Sequence, residues 1–288
     1  MRRFPFGGCF LVARRYLRGS SIWQEAVWAA VCLGAVTLSA NAIQKAWFGD
    51  LDSAGDRAGV LLTRWMVASL VAMVVVLPIF GAIMAPAAIP AQHELEATQA
   101  EVLAGLSGST IVLGRLLACL RPLLLIILMS IVLWSAIEVS YHPLAYGSWL
   151  NVVQAHLVVL AALCTVSAVA VLVSSKRSGG RSWWRGTFGG MLVFMTGVLA
   201  LFTLNGWLAS AQNPVPVIQR ILVFNPVTAV CTSLNFDLLR VNWIYGRTIA
   251  PEFDFRYPGV WKTTSALFLL CALAVTVAGL RVDRALRR

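Results

Sequence analysis

Three features of the sequence predict an all-α polytopic membrane protein with six transmembrane helices. Of its 288 residues 59% are hydrophobic, only 12% are charged, and the mean hydropathy is +0.79. An ordinary soluble domain carries roughly 25% charged residues, so a water-surrounded fold is excluded. A helix needs about 20 predominantly apolar residues to cross about 30 Å of hydrocarbon. Six such runs occur, near 26–43, 65–89, 116–137, 152–173, 188–208 and 263–280. They are continuous rather than alternating, so they read as helices and not as strands of a membrane barrel. With no internal repeat, residues 1–288 read as one membrane domain.

The first segment, 1–25, opens MRRFPFGGCFLVARRYLRGS. Its apolar run is cut by Arg14, Arg15 and Arg18 and no small-residue cleavage site follows, so it does not read as an export signal. A helix with Phe10, Leu11 and Leu17 on one side and those arginines on the other would lie along the headgroups. Six cysteines follow no metal or redox spacing: Cys32, Cys119, Cys164 and Cys271 fall inside spans, and they read as small apolar packing residues.

Orientation comes from the basic residues, which concentrate in short cytoplasmic connections. With the N-terminus inside, 15 Lys and Arg fall on the cytoplasmic side and 8 on the other, where the connections are longer. Both termini are therefore expected in the cytoplasm. The net charge of +11 then reflects topology and attraction to anionic headgroups of the bilayer, and it calls for no nucleic-acid partner.

That orientation gives the polar stretch AQHELEATQAEVLAGLSGSTIVLGR, residues 91–115, a cytoplasmic address. From Glu94 to Leu106 most residues favour helix, and Leu95, Val102 and Leu106 recur at spacings of seven and four. The helix so formed has one apolar stripe and one anionic face. It is too short to span and too acidic to favour an anionic leaflet, which suits a cytosolic protein partner better than lipid. The second informative connection is external, 209–262. It holds two apolar pieces, 216–224 and 227–236, separated by Asn225-Pro226 and each too short to span. A pair of short helices dipping into the outer leaflet would satisfy its own backbone while burying Ile218, Ile221, Leu222 and Phe224.

This arrangement resembles the permease subunits of the type-2 family of ATP-binding-cassette (ABC) transporters. In that family a short coupling helix of the form E-x-G-T-x-E-x-L joins the second and third spans, followed by a hydrophobic-Gly-Lys lead into the third. The corresponding residues here are Glu96-Ala97-Thr98-Gln99-Ala100-Glu101-Val102-Leu103 and Ile111-Val112-Leu113-Gly114-Arg115-Leu116. Thr98-Gln99 stands in place of Gly-Thr, and Arg115 in place of Lys. Phe224-Asn225-Pro226-Val227-Thr228-Ala229 is similar to the family's asparagine-proline segment before the last span.

The resemblance implies a single transmembrane permease domain in the plasma (inner) membrane, an exporter assembled as a dimer with a second permease copy or homologue. It implies a separate ABC ATPase subunit. The chain itself has no G-x-x-x-x-G-K-[ST] loop, so it is not expected to be an enzyme or to hold a cofactor, and ATP and magnesium would be bound by the partner. Glu94, Leu95, Glu96, Glu101, Val102, Leu103 and Leu106 are the expected ATPase-coupling residues. The external pair resembles the family's re-entrant hairpin, with Ile221, Asn225 and Pro226 as its gate.

Two other classes compete. A rhomboid-like intramembrane serine protease also has six spans, and Gly105-Leu106-Ser107-Gly108 matches its G-x-S-G string, but a nucleophilic serine needs a nearby base and only His93, His142 and His156 are on offer. A secondary transporter is expected to carry intramembrane ionisable groups or interrupted spans. In-span polar residues here are few: Arg121, Glu138, Gln154, His156 and Asn205, the last three read as interhelical hydrogen-bonding groups.

Overall fold

The computed structural model of the chain describes residues 9, 12–13, 22–48, 58–89, 105–141, 148–175, 181–238, 248, 250–252 and 257–286. Among them there is no strand. The helices are α1 (Ile22–Phe48), α2 (Ala58–Met84, extended by a 3₁₀ turn at Ala85–Ala88), α3 (Gly108–Tyr141), α4 (Trp149–Ser174), α5 (Arg181–Thr203), α6 (Asn205–Ser210), α7 (Val215–Val223), α8 (Pro226–Ser233) and α9 (Val260–Leu286). Six of them, α1 to α5 and α9, are long and apolar enough to cross a membrane, with α6 continuing α5. The protein is an all-α polytopic membrane protein, as its composition predicts.

α1, α3, α4 and α9 contain their predicted apolar runs and extend past them, whereas the run 65–89 ends at Ile89, just past the 3₁₀ turn of α2, and the run 188–208 crosses from α5 into α6. The longest, α3, has 34 residues where the apolar run covers 116–137. A helix keeps its backbone bonds satisfied internally, so nothing forces it to stop where the hydrocarbon ends.

The core is built around α2 and α4. α4 packs against α2, α3, α5, α8 and α9, and Met66, Leu70, Leu77 and Leu163 on the two helices are fully buried. Between membrane helices there is no hydrophobic drive, so close backbone approach through small residues supplies the packing. Gly81 is one such point: a Cβ there would lie 2.4 Å from Ser167 Oγ and 2.5 Å from Leu163 Cδ1. Thr165 adds a polar tie, its hydroxyl 2.7 Å from the carbonyls of both Ala161 and Leu267, which joins α4 to α9.

The helices alternate in direction, and one end of the bundle gathers the beginnings of α1, α3 and α5 with the ends of α2, α4 and α9. Glu25 of α1 pairs with Arg121 of α3 at 3.2 Å. The Trp183 indole N–H of α5 donates to the Ile83 carbonyl of α2 at 3.0 Å. Arg281 of α9 donates to the Leu172 carbonyl of α4 at 2.8 Å. The described residues of the N-terminal segment, Cys9, Val12 and Ala13, are helical, buried and packed at the same end, where a Cβ on Gly114 would meet the Cys9 carbonyl at 2.7 Å. Phe10, Leu11 and Leu17, the expected interfacial face, lie outside the described residues.

Candidate functional site

Ile89 and Gly105, which flank residues 90–104, and the α7–α8 pair fall at opposite ends of the bundle. At the end that gathers both described chain ends, residues 90–104 lie outside the described structure, and with them Glu94, Leu95, Glu96, Glu101, Val102 and Leu103. Leu106 is half-buried, just after Gly105, which turns the chain at φ +82°. The structure resumes in a well-capped helix start. Ser107 Oγ accepts from the Thr110 N–H at 3.2 Å, and the Gly108 N–H donates to Asp283 Oδ1 at 2.8 Å. The first amides of a helix have no partner within it, so both bonds answer an intrinsic need of α3.

Ser107 is therefore a helix cap. Its hydroxyl also meets Thr110 Oγ1 at 2.8 Å and Ser109 Oγ at 3.0 Å. The buried histidine, His156, is engaged elsewhere: Nδ1 donates to the Val152 carbonyl at 2.8 Å, and Nε2 lies 2.9 Å from the Ser130 hydroxyl of α3. The expected interhelical hydrogen bond is present, linking α4 to α3. Arg121, free by sequence to snorkel or to face inward, pairs with Glu25. Arg115, expected only as a basic lead into α3, is buried with 4% exposure. At the same end, burial pushes the Cys9 thiol up from its ordinary value against a smaller opposing pull from a backbone hydrogen bond, which favours its protonated form.

At the other end, the Asn225-Pro226 segment folds as a pair of short helices. α7 and α8 meet at a 90° bend across the break. The bend has a local cause. Proline at 226 has no N–H to continue α7 and its fixed φ suits the first turn of α8, while Asn225 Oδ1 accepts from the Val227 and Thr228 N–H groups at 3.1 and 3.2 Å. Asn225 is wholly buried, and its amide donates to the Val198 carbonyl of α5 at 3.3 Å. The C-terminal end of α8 closes on Asn235 in the left-handed region, φ 57°. Of the residues expected to bury in the outer leaflet, Ile218 and Leu222 are enclosed within the protein, Ile221 is half-buried, and Phe224, at the bend, is partly exposed and lines the same cavity as Ile221.

A cavity of about 410 Å³ lies between this pair and the long helices α4, α5 and α9. Ile221 and Pro226 line it, opposite Thr165, Val166, Gly197 and Leu267, and its wall is almost entirely apolar. Two of the three expected gate residues thus face one space, while Asn225 holds the bend behind them. A second groove, about 500 Å³, runs between α1, α2 and α3 past Trp65, Ser69 and Trp134. Among the described residues no cluster of three or more His, Cys, Asp or Glu is placed to hold a metal ion.

Asp283 and Arg281 went unread in the sequence except as tail residues. One signal was present: Asp283 is the single acid in RVDRALRR, a segment otherwise rich in arginine. No family model, curated protein or solved structure matches the chain.

Proposed function

We propose that this chain is the membrane-spanning permease subunit of an ABC transporter of the export type. It sits in the plasma (inner) membrane with both termini in the cytoplasm, works as a dimer with a second permease copy or homologue, and is powered by a separate ATPase that binds ATP and magnesium. The observation that carries the reading is one of placement. Ile89 and Gly105, the described residues on either side of 90–104, lie at the bundle end where both described chain ends gather, and the bent α7–α8 pair lies at the opposite end; an acidic amphipathic helix over 94–106 would therefore emerge away from the bend. A docked helix acts there as a lever, and a proline-broken pair of short helices rearranges more cheaply than a continuous span.

The test is co-purification. A tagged full-length chain should bring down an ATPase, Leu103→Ala should weaken that association, and Glu101→Arg should keep the complex but uncouple ATP hydrolysis from transport. Truncating a buried apolar anchor costs about 2 kcal/mol of binding, whereas a rim charge governs register and partner choice. If neither substitution alters co-purification or hydrolysis, the 91–107 connection is a solvated linker. Orientation is checked separately: a reporter that fluoresces only in the cytosol should shine when fused to Arg288 and stay dark near Pro251.

One observation favours a second reading, a secondary carrier: His156 places an ionisable group inside α4, bonded to Ser130. Transport that collapses with the proton gradient and ignores ATP would support it.

A further inference from the structure

We propose that the last turns of α9, positioned by Asp283 and Arg281, carry motion from the 91–107 connection into the bundle and on to the α7–α8 bend. The proposal rests on the coupling role given above to that connection.

A displacement of the connection enters the described structure at Ile89 after α2 and at Gly105, and on the second side it meets α3 at Gly108. That residue is bound to α9. Its N–H donates to Asp283 Oδ1 at 2.8 Å, an anion against the positive end of a helix dipole. The two backbones also touch. A Cβ on Gly108 would fall 2.3 Å from the Gly279 carbonyl oxygen, and one on Gly279 would fall 2.3 Å from Ser109 N and 2.4 Å from Ser109 Cα. With no side chain between them, the crossing has no rotamer in which to absorb a push. Two residues along from Asp283, Arg281 Nη1 donates to the Leu172 carbonyl at 2.8 Å and reaches Ser175 Oγ at 3.1 Å, capping the final turn of α4. α9 therefore grips the start of α3 and the end of α4 together.

The alternative routes are weaker. α1 meets the base of α3 through Glu25–Arg121, whose side chains are 21% and 49% exposed, a pair that water and headgroups screen. Further along, α3 exposes Leu125, Leu128, Met129, Val132 and Leu133, and its polar tie to α4 there is the Ser130–His156 bond. α4 does the opposite, with 67% of its most apolar window buried, and α9, buried to the same 33% as α3, runs along it. From Gly279 back to Leu267 is about 18 Å of helix, and Leu267 with Thr165 forms the wall of the cavity that Ile221 and Pro226 complete. The Thr165 hydroxyl, 2.7 Å from the Leu267 carbonyl, keeps the two helices in step at that level. A rigid shift at Asp283 is thus delivered as a shift of the wall facing the bend.

The experiment uses the full chain bearing Ile221→Cys, co-assembled with its ATPase in nanodiscs, and reads the labelling rate of that cysteine by a membrane-impermeant maleimide with and without ATP. The parent carrying Ile221 unchanged supplies the background from native thiols. ATP should change the rate about five- to tenfold, the span of ordinary coupling between sites. In Asp283→Ala, and independently in Arg281→Met, the change should fall below about twofold in complexes that still hydrolyse ATP. Asp283→Asn, which keeps an oxygen acceptor for the Gly108 N–H, should restore it; a merely structural loss would not separate the Ala and Asn variants in this way. An ATP response that survives both Asp283→Ala and Arg281→Met overturns the relay and leaves the coupling reading standing. No ATP response in the unsubstituted 281 and 283 background overturns both.

Discussion

The inner pair of spans, α2 and α4, and the outer pair, α1 and α5, have nearly the same length and composition class but opposite surroundings. Within their most apolar windows α2 and α4 are 72% and 67% buried, against 17% for α1 and 22% for α5. The inner pair is also the more apolar of the two, and small residues at the contacts and the reach of polar groups mark the split further. α4 carries Ser167, Thr165 and His156 into the interior, whereas α5 turns Trp184, Phe188, Leu192 and Leu199 outward. Stability therefore lives in the inner pair, and the outer pair is held by far fewer contacts.

Four substitutions would break or sharpen that contrast. Gly81→Val, at the α2–α4 contact, should be the most damaging: its side chain has no room beside Ser167 and Leu163, and overpacking at such a site costs about 3 kcal/mol. Gly34→Val in α1 has no heavy atom within 4 Å and should cost less than about 0.5 kcal/mol. Thermal unfolding in one detergent decides, and equal losses would erase the distinction. Next comes Leu163→Ala. The side chain is fully buried, but lipid rather than water is the competing environment, so the loss should sit at the low end for such truncations, about 2 kcal/mol. Leu33→Ala, 55% exposed, should again be nearly silent.

At the bend, Asn225→Ala removes the acceptor for two amides and the donor to Val198, and should cost about 1 kcal/mol. Asn225→Asp should recover the cap but not the tie to α5, so the difference between the two isolates the anchoring of the bend. The smallest effect is expected from Glu25→Gln. Its partner Arg121 is half-exposed, and pairs of that kind contribute about 0.5 kcal/mol, less in high salt. A large loss would mean that α1 is fastened more firmly than its burial implies.

Span number and the break between α7 and α8 were legible in the sequence because each has a local cause: a continuous apolar run for a span, an Asn-Pro pair for the bend. The hydrogen-bonding use of His156 was legible as well, since a lone polar ring in a span must find a partner. Depth of burial was not. The pattern of α1 does not mark it as lying at the rim, for its apolar residues are about as numerous on the exposed side as on the packed one; its being the least apolar of the six spans is the one trace. The Asp283–Gly108 contact was equally hidden, because it joins residues 175 positions apart and depends on how two helix ends cross. Arg115 misled for the opposite reason: a basic residue near a span end ordinarily signals the water side, and here it is enclosed.

The 34 residues of α3 amount to about 51 Å of helix, well beyond the roughly 30 Å of hydrocarbon in a typical bilayer. Such a helix must lean, or project through a headgroup layer, or both, and the balance depends on the thickness of the surrounding lipid. Since its first residue is pinned to α9 and its Ser130 is tied to α4, a lean imposed by thin lipid pulls on both neighbours. The acyl-chain length of the membrane is thereby a mechanical input to this protein.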